Sequence, residues 1–160
     1  MKRFSFAVAV AAMGLIAVPA LAQDFSGNVK ARQGQFRILA INLGILGGMA
    51  KGEMPYDAAT AQAAADSIAA VSMINQGPLW PQGSDNMSME GTRALPAIWE
   101  NQADLGAKWA ALGEAAKGLQ AAAGTDAAAI GAALGAVGGT CNVRCGLHER
   151  QRWEFDDGLR

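Results

Sequence analysis

The stretch LGAKWAALGEAAKGL, residues 105–119, decides the fold. Its Leu105, Trp109, Leu112, Ala116 and Leu119 step by four, three, four and three. That spacing makes one apolar seam along a helix packed in a bundle. Asn101 stands where an N-cap is expected and Asp104 falls in the first turn, so this helix begins near residue 101.

Three other segments carry the same period. Downstream, a helix starts near Thr125 with the stripe Ile130, Leu134, Val137 and Cys141, continuing to Cys145 and His148. Upstream, one helix covers about residues 26–49, with Val29, Phe36, Leu39, Ala40, Leu43 and Leu46 at three- and four-residue steps. Another opens at Pro55-Tyr56-Asp57, a Pro and an Asp suited to a helix start, and runs to about residue 74 through Ala64, Ile68 and Val71. The chain is rich in Ala and poor in β-branched and aromatic residues, which favours helix over strand. Two of the connections are short, so the first and second helices, and the third and fourth, should be antiparallel neighbours. The expected fold is all-α, an antiparallel four-helix bundle. Residues 75–100 form one long connection, with Gly77-Pro78, Trp80-Pro81 and Gly83-Ser84-Asp85, and a short helical turn is expected over 95–99. A connection of that length within a bundle is usually functional or packs over the core.

The N-terminus bears on the compartment. Lys2 and Arg3 precede an uncharged, almost wholly apolar run over residues 4–18, and Ala20-Leu21-Ala22 places small residues at −3 and −1 of a cut before Gln23. This is the three-part pattern of a signal peptide, 1–22, and the apolar run is shorter than the ~20 residues of a spanning helix. The expectation is export to the periplasm with no membrane span after cleavage. The bundle domain is then 23–150, followed by an atypical C-terminal tail, 151–160. Cleavage lowers the basic residues from 13 to 11 against 14 acidic ones, giving about −3. Without a basic patch, nucleic acid is excluded as a partner. Nothing supports hydrolase chemistry: there is a single histidine and no clustered carboxylate pair.

The chemistry is concentrated near the end of the fourth helix. At 100° per residue, Cys141, Cys145 and His148 fall within about 60° of one another. Two thiols and an imidazole on one face suit a haem or a metal. They also suit two small seam residues followed by a histidine at a helix C-terminus.

Several stretches, in order, resemble the cytochrome c′ family and its relatives named cytochrome c-556. They are Val29-Lys30-Ala31-Arg32-Gln33 with Asn42-Leu43-Gly44 and Met49-Ala50-Lys51-Gly52; Tyr56-Asp57-Ala58-Ala59; Trp80-Pro81-Gln82-Gly83-Ser84-Asp85; Thr92-Arg93-Ala94-Leu95-Pro96-Ala97-Ile98-Trp99; and the run from Leu134 through Gly138-Gly139-Thr140 to Cys141. The resemblance covers roughly residues 25–141. It implies a bundle, often dimeric, carrying one covalent haem c near the end of the fourth helix. In such a protein a C-x-x-C-H motif supplies two thioethers and the axial histidine. It implies a carrier of single electrons rather than an enzyme, with redox partners unspecified and NO or CO as gas ligands. It maps Cys141 and Cys145 to attachment, His148 to the iron and Arg32 to a haem propionate. Phe36 falls where low-spin relatives place a methionine, which implies a five-coordinate, high-spin iron and an apolar distal pocket.

The motif itself departs from the family's. Three residues separate Cys141 from Cys145, and His148 lies three beyond. The histidine is thus seven residues from the first cysteine, about 10.5 Å of helix rise, instead of four and about 6 Å. Either the fourth helix has diverged, giving a haem-free or singly attached form, or the reading frame shifts just after Cys141; the abrupt end of the resemblance favours the shift. The alternative to a cytochrome is a haem-free or metal-binding bundle using Cys141, Cys145 and His148 for zinc or copper, although a closed zinc site wants a fourth protein ligand.

Overall fold

The computed structural model describes residues 24–142, the last two through their backbone. Residues 1–22, Cys145, His148 and the tail 151–160 lie outside that range. Among the described residues all regular structure is helical: α1 (Ser26–Lys51), α2 (Ala58–Ser72), α3 (Ala97–Glu100), α4 (Gln102–Ala123) and α5 (Ala127–Asn142), with a 3-10 turn at Gly77–Leu79.

The helix ends follow from local chemistry. The Thr60 backbone N–H donates to the Asp57 carboxylate at 2.7 Å and starts α2. The Asp104 N–H donates to the Asn101 side chain at 3.3 Å and starts α4. At α5 the cap is Asp126, which accepts from the Ala129 N–H at 2.7 Å, one residue beyond the expected start at Thr125. α1 ends on Gly52 at φ 72°, a left-handed position that a side chain would strain, where the chain turns back onto the Gly48 and Met49 carbonyls.

α1, α2, α4 and α5 make the bundle. Each packs on the next in the order α1–α2–α4–α5 and back to α1, so the four close into a square. The core is Leu39, Leu46 and Met49 from α1, Ala61, Ala64, Ala65, Ile68 and Val71 from α2, Leu112, Ala116, Leu119 and Ala123 from α4, and Ile130 and Val137 from α5. Eight of the expected seam residues of α2, α4 and α5 are therefore buried: Ala64, Ile68, Val71, Leu112, Ala116, Leu119, Ile130 and Val137. Alanines at α2 positions 61, 64 and 65 bring its backbone close to its neighbours, and branched residues fill what remains. The Tyr56 hydroxyl donates to the Ala123 carbonyl at 2.9 Å, satisfying one C-terminal group of α4 and tying the α1–α2 turn to the α4–α5 turn.

The long connection lies against the N-terminal half of α1. Asn28 donates to the Pro78 carbonyl at 2.8 Å and Gln33 to the Gly91 carbonyl at 2.8 Å. Gln35 is bonded to Gln76 at 3.0 Å. The expected turn near 95–99 is present as α3.

Candidate functional site

The site is built at the end of the bundle opposite the two short turns. α1 and α2 are joined at 52–57 and α4 and α5 at 124–126, and both pairs run antiparallel. Equal steps of 1.5 Å from each turn bring Phe36 level with Ile74 and Trp109 level with the backbone of Cys141. One cross-link sets the two pairs at the same height. The Phe36 and Trp109 rings meet edge to face, centroids 6.1 Å apart and planes at 85°. α1 and α4 are diagonal in the square and do not pack by their backbones. At this level the interior between them is spanned by two aromatic rings.

Phe36 is not ordinary core: it is 44% exposed, although it sits on the seam of α1. The reason is position. It lies where the square opens, with Trp109 covering one edge. Beside it a cleft of about 290 Å³, close to the small end of ligand sites, is lined by Ile74, Gln76, Trp80, Gln102, Leu105 and Trp109 among others. Its walls are largely apolar, with amides at the rim.

Arg32 stands one turn before Phe36. It is 3% exposed, so it is no solvated surface residue. Its guanidinium donates to the Ser84 hydroxyl and the Ser84 carbonyl, each at 2.9 Å, and more weakly to the Thr92 hydroxyl at 3.4 Å. It lies 4.4 Å from the centre of the Trp80 ring, a cation–π arrangement, and 6.0 Å from that of Trp99. Burial lowers its pKa from the usual arginine value, yet the side chain stays charged because that value is so high. Among the described residues none of the carboxylate pairs involves Arg32.

The connection is shaped around this cation. Ser84 donates back to the Pro81 carbonyl at 2.7 Å. The Trp99 indole N–H reaches the Trp80 and Pro81 carbonyls at 3.0 and 3.1 Å, and the Trp80 N–H reaches Gln76 at 3.1 Å. Asp85 is buried and accepts from the Met87 and Ser88 N–H groups and from the Ser88 hydroxyl. Burial pushes its pKa up, but the bonds from Ser88 and Met87 outweigh that and hold it below the ordinary 3.8.

Of the residues singled out by sequence, the structure brings Arg32, Phe36 and the backbone of Cys141 to one end of the bundle; Cys145 and His148 lie outside the described residues. Among the described residues no three His, Cys, Asp or Glu side chains stand together as a metal site. By periodicity alone Trp109 is a core residue, and Trp80, Ser84 and Thr92 carry no site signal of their own. All three of the latter fall inside the stretches that resemble the cytochrome c′ family, which is the signal in the sequence that marks them.

The four antiparallel helices make a square bundle whose open end carries the Phe36 and Trp109 rings, with the backbone of Cys141 at the same level. A family model described as cytochrome C' matches residues 27–146. A cytochrome c-554 of Cereibacter sphaeroides is 42% identical over 141 residues, covering 86% of this chain and 90% of that one. A cytochrome c′ of the same organism is 40% identical, covering 81% and 87%. The solved cytochrome c′ from Thermochromatium tepidum superposes with a TM-score of 0.66 at 33% identity, covering 75% of this chain and 92% of that one. The chain belongs to the cytochrome c′ family, whose members are haem-binding c-type cytochromes with covalently attached haem c. That membership does not favour the haem-free or metal-binding alternative. The match extends to residue 146, five residues beyond Cys141.

Proposed function

We propose that this chain is a periplasmic one-electron carrier with a distal pocket open to diatomic gases, exported by residues 1–22. The observation that carries the reading is the Phe36–Trp109 pair, which spans the open end of the bundle at the level of Cys141. These residues fit a flat apolar group bearing carboxylates. Phe36 and Trp109 offer apolar ring surface, and the mouth beside them has a buried cation behind Trp80. Cys141, in the last turn of α5, is the first attachment position, forming a thioether to the haem. Cys145 and His148 are the second attachment and iron-ligand positions, stretched along the chain by the altered spacing. Bound haem supplies the iron that takes up and releases the electron. A phenyl ring has no lone pair for a metal, so Phe36 contributes bulk and dryness rather than ligation.

Gas binding and dimerisation draw support from solved members. One cytochrome c′ is described with ligand-controlled dimer dissociation, and a variant of another with carbon monoxide bound. Among the described residues no helix is long and apolar enough to cross a membrane.

The test is co-expression with a cytochrome c maturation system, followed by a haem stain and a pyridine haemochrome spectrum. The chain as written should attach haem poorly and through one cysteine. Deleting Arg144, Gly146 and Leu147 leaves Cys-Asn-Val-Cys-His and should restore attachment. Two thioether links in the unmodified chain would refute the spacing argument. A colourless repaired chain would count against the cytochrome reading itself.

A further inference from the structure

We propose that the Trp109 indole N–H is an anchoring donor to a carboxylate of the bound haem. This rests on the haem-binding reading above. Among the described residues, Trp109 Nε1 is the buried side-chain nitrogen or oxygen left without a hydrogen-bond partner. An indole nitrogen only donates, and a buried donor without an acceptor is unfavourable and rare in native folds. The fold attends to its other described tryptophans: Trp80 Nε1 reaches Gln76, and Trp99 Nε1 reaches two carbonyls. Trp109 is the exception, and it stands at the open end rather than in the sealed core.

No acceptor lies within hydrogen-bond distance of it, although the amides of Asn75, Gln76 and Gln102 line the same cleft. Phe36, Leu105 and Ile74 are apolar. The bound group can bring the missing acceptor. A haem has few acceptors: its ring nitrogens face the iron, its rim is hydrocarbon, and its two carboxylates remain. The cleft also favours an anion. Trp80 lines it, and the buried Arg32 guanidinium lies 4.4 Å behind that ring without a carboxylate among its described partners. Trp109 thus completes its hydrogen bonding when the haem is in place.

The experiment is a four-way titration of the full chain and its Trp109→Phe variant with haemin and with haemin dimethyl ester, followed by absorption and by melting of the haem-free proteins. Phenylalanine keeps an aromatic ring and removes the donor; the diester removes the carboxylate charge. The unmodified chain should prefer haemin to the diester, and Trp109→Phe should reduce that preference about tenfold, as expected for a bond to a charged group. Melting of the haem-free variant checks that it is folded, since the smaller ring removes packing volume against the core. Equal weakening of both compounds would make Trp109 a packing residue and overturn the proposal. Identical affinities in the two proteins would overturn it and leave the haem-binding reading standing. Binding of neither compound by either protein would overturn the proposal, and the repaired chain then decides the haem-binding reading.

Discussion

Replacing Arg32 by alanine should detach the long connection from α1. The side chain is 3% exposed and holds three acceptors, the Ser84 hydroxyl, the Ser84 carbonyl and the Thr92 hydroxyl. Two of these bonds are short, and each stranded acceptor costs about 1 kcal/mol. The stacking on Trp80 adds about 1 kcal/mol or more. Against this, the substitution removes a buried charge whose desolvation is unfavourable, which returns part of the loss. The net destabilisation is about 2–4 kcal/mol, a fall in melting temperature on the order of 10 °C for a domain of this size. Arg32→Lys should recover little, because an ammonium cannot bond two oxygens of Ser84 in a fork while lying flat on Trp80. Thermal melting gives the magnitude, and limited proteolysis gives the place: new cleavage should appear within residues 77–92 before the helices are cut. An alanine variant that melts within a degree of the unmodified chain, with the connection still resistant, would refute this account of Arg32.

Leu112→Asp puts a carboxylate at a buried seam position of α4 and should destabilise by about 4 kcal/mol or more, read from a denaturant midpoint. Asp57, Asp66 and Asp85 all have pKa values held below 3.8: the Thr60 bonds do so for Asp57, the Gln120 and Gln62 side chains for Asp66, and the bonds from Ser88 and Met87, against burial, for Asp85. Lowered carboxylates stabilise the fold above the unfolded value, so stability should hold at neutral pH and fall as pH drops below about 3.8, measured as melting temperature against pH. In the haem-loaded protein the far-red charge-transfer band of a methionine–iron bond should be absent and should appear in Phe36→Met; its presence in the unmodified chain would place the distal residue elsewhere.

Much of the bundle was legible in the chain itself. The four-three steps of residues 105–119 and the Ala-rich stripe of α2 require a helix with one apolar side, and a 3.6-residue period has no other efficient way to bury it. Asn101 and Asp57 marked two starts because a side-chain oxygen at that position satisfies a backbone N–H that the helix leaves over. The start of α5 was one residue off because Thr125 and Asp126 are both capping types, and only the backbone path decides between them.

Periodicity reports which side of a helix faces inward, not how far along the bundle the inside is closed. Phe36 and Trp109 sit on seams exactly as Leu46 and Leu112 do in sequence terms, and by pattern alone all four are core. Tertiary structure separates them: Leu46 and Leu112 meet neighbours on every side, whereas Phe36 and Trp109 meet across a diagonal where the square opens. The same holds for Arg32, an ordinary basic residue on a helix until a connection 50 residues away folds Ser84, Thr92 and Trp80 around it. Local order is written in nearest-neighbour chemistry and can be read from the chain. Burial of a charge, or exposure of a ring, depends on segments that only the closed bundle brings together.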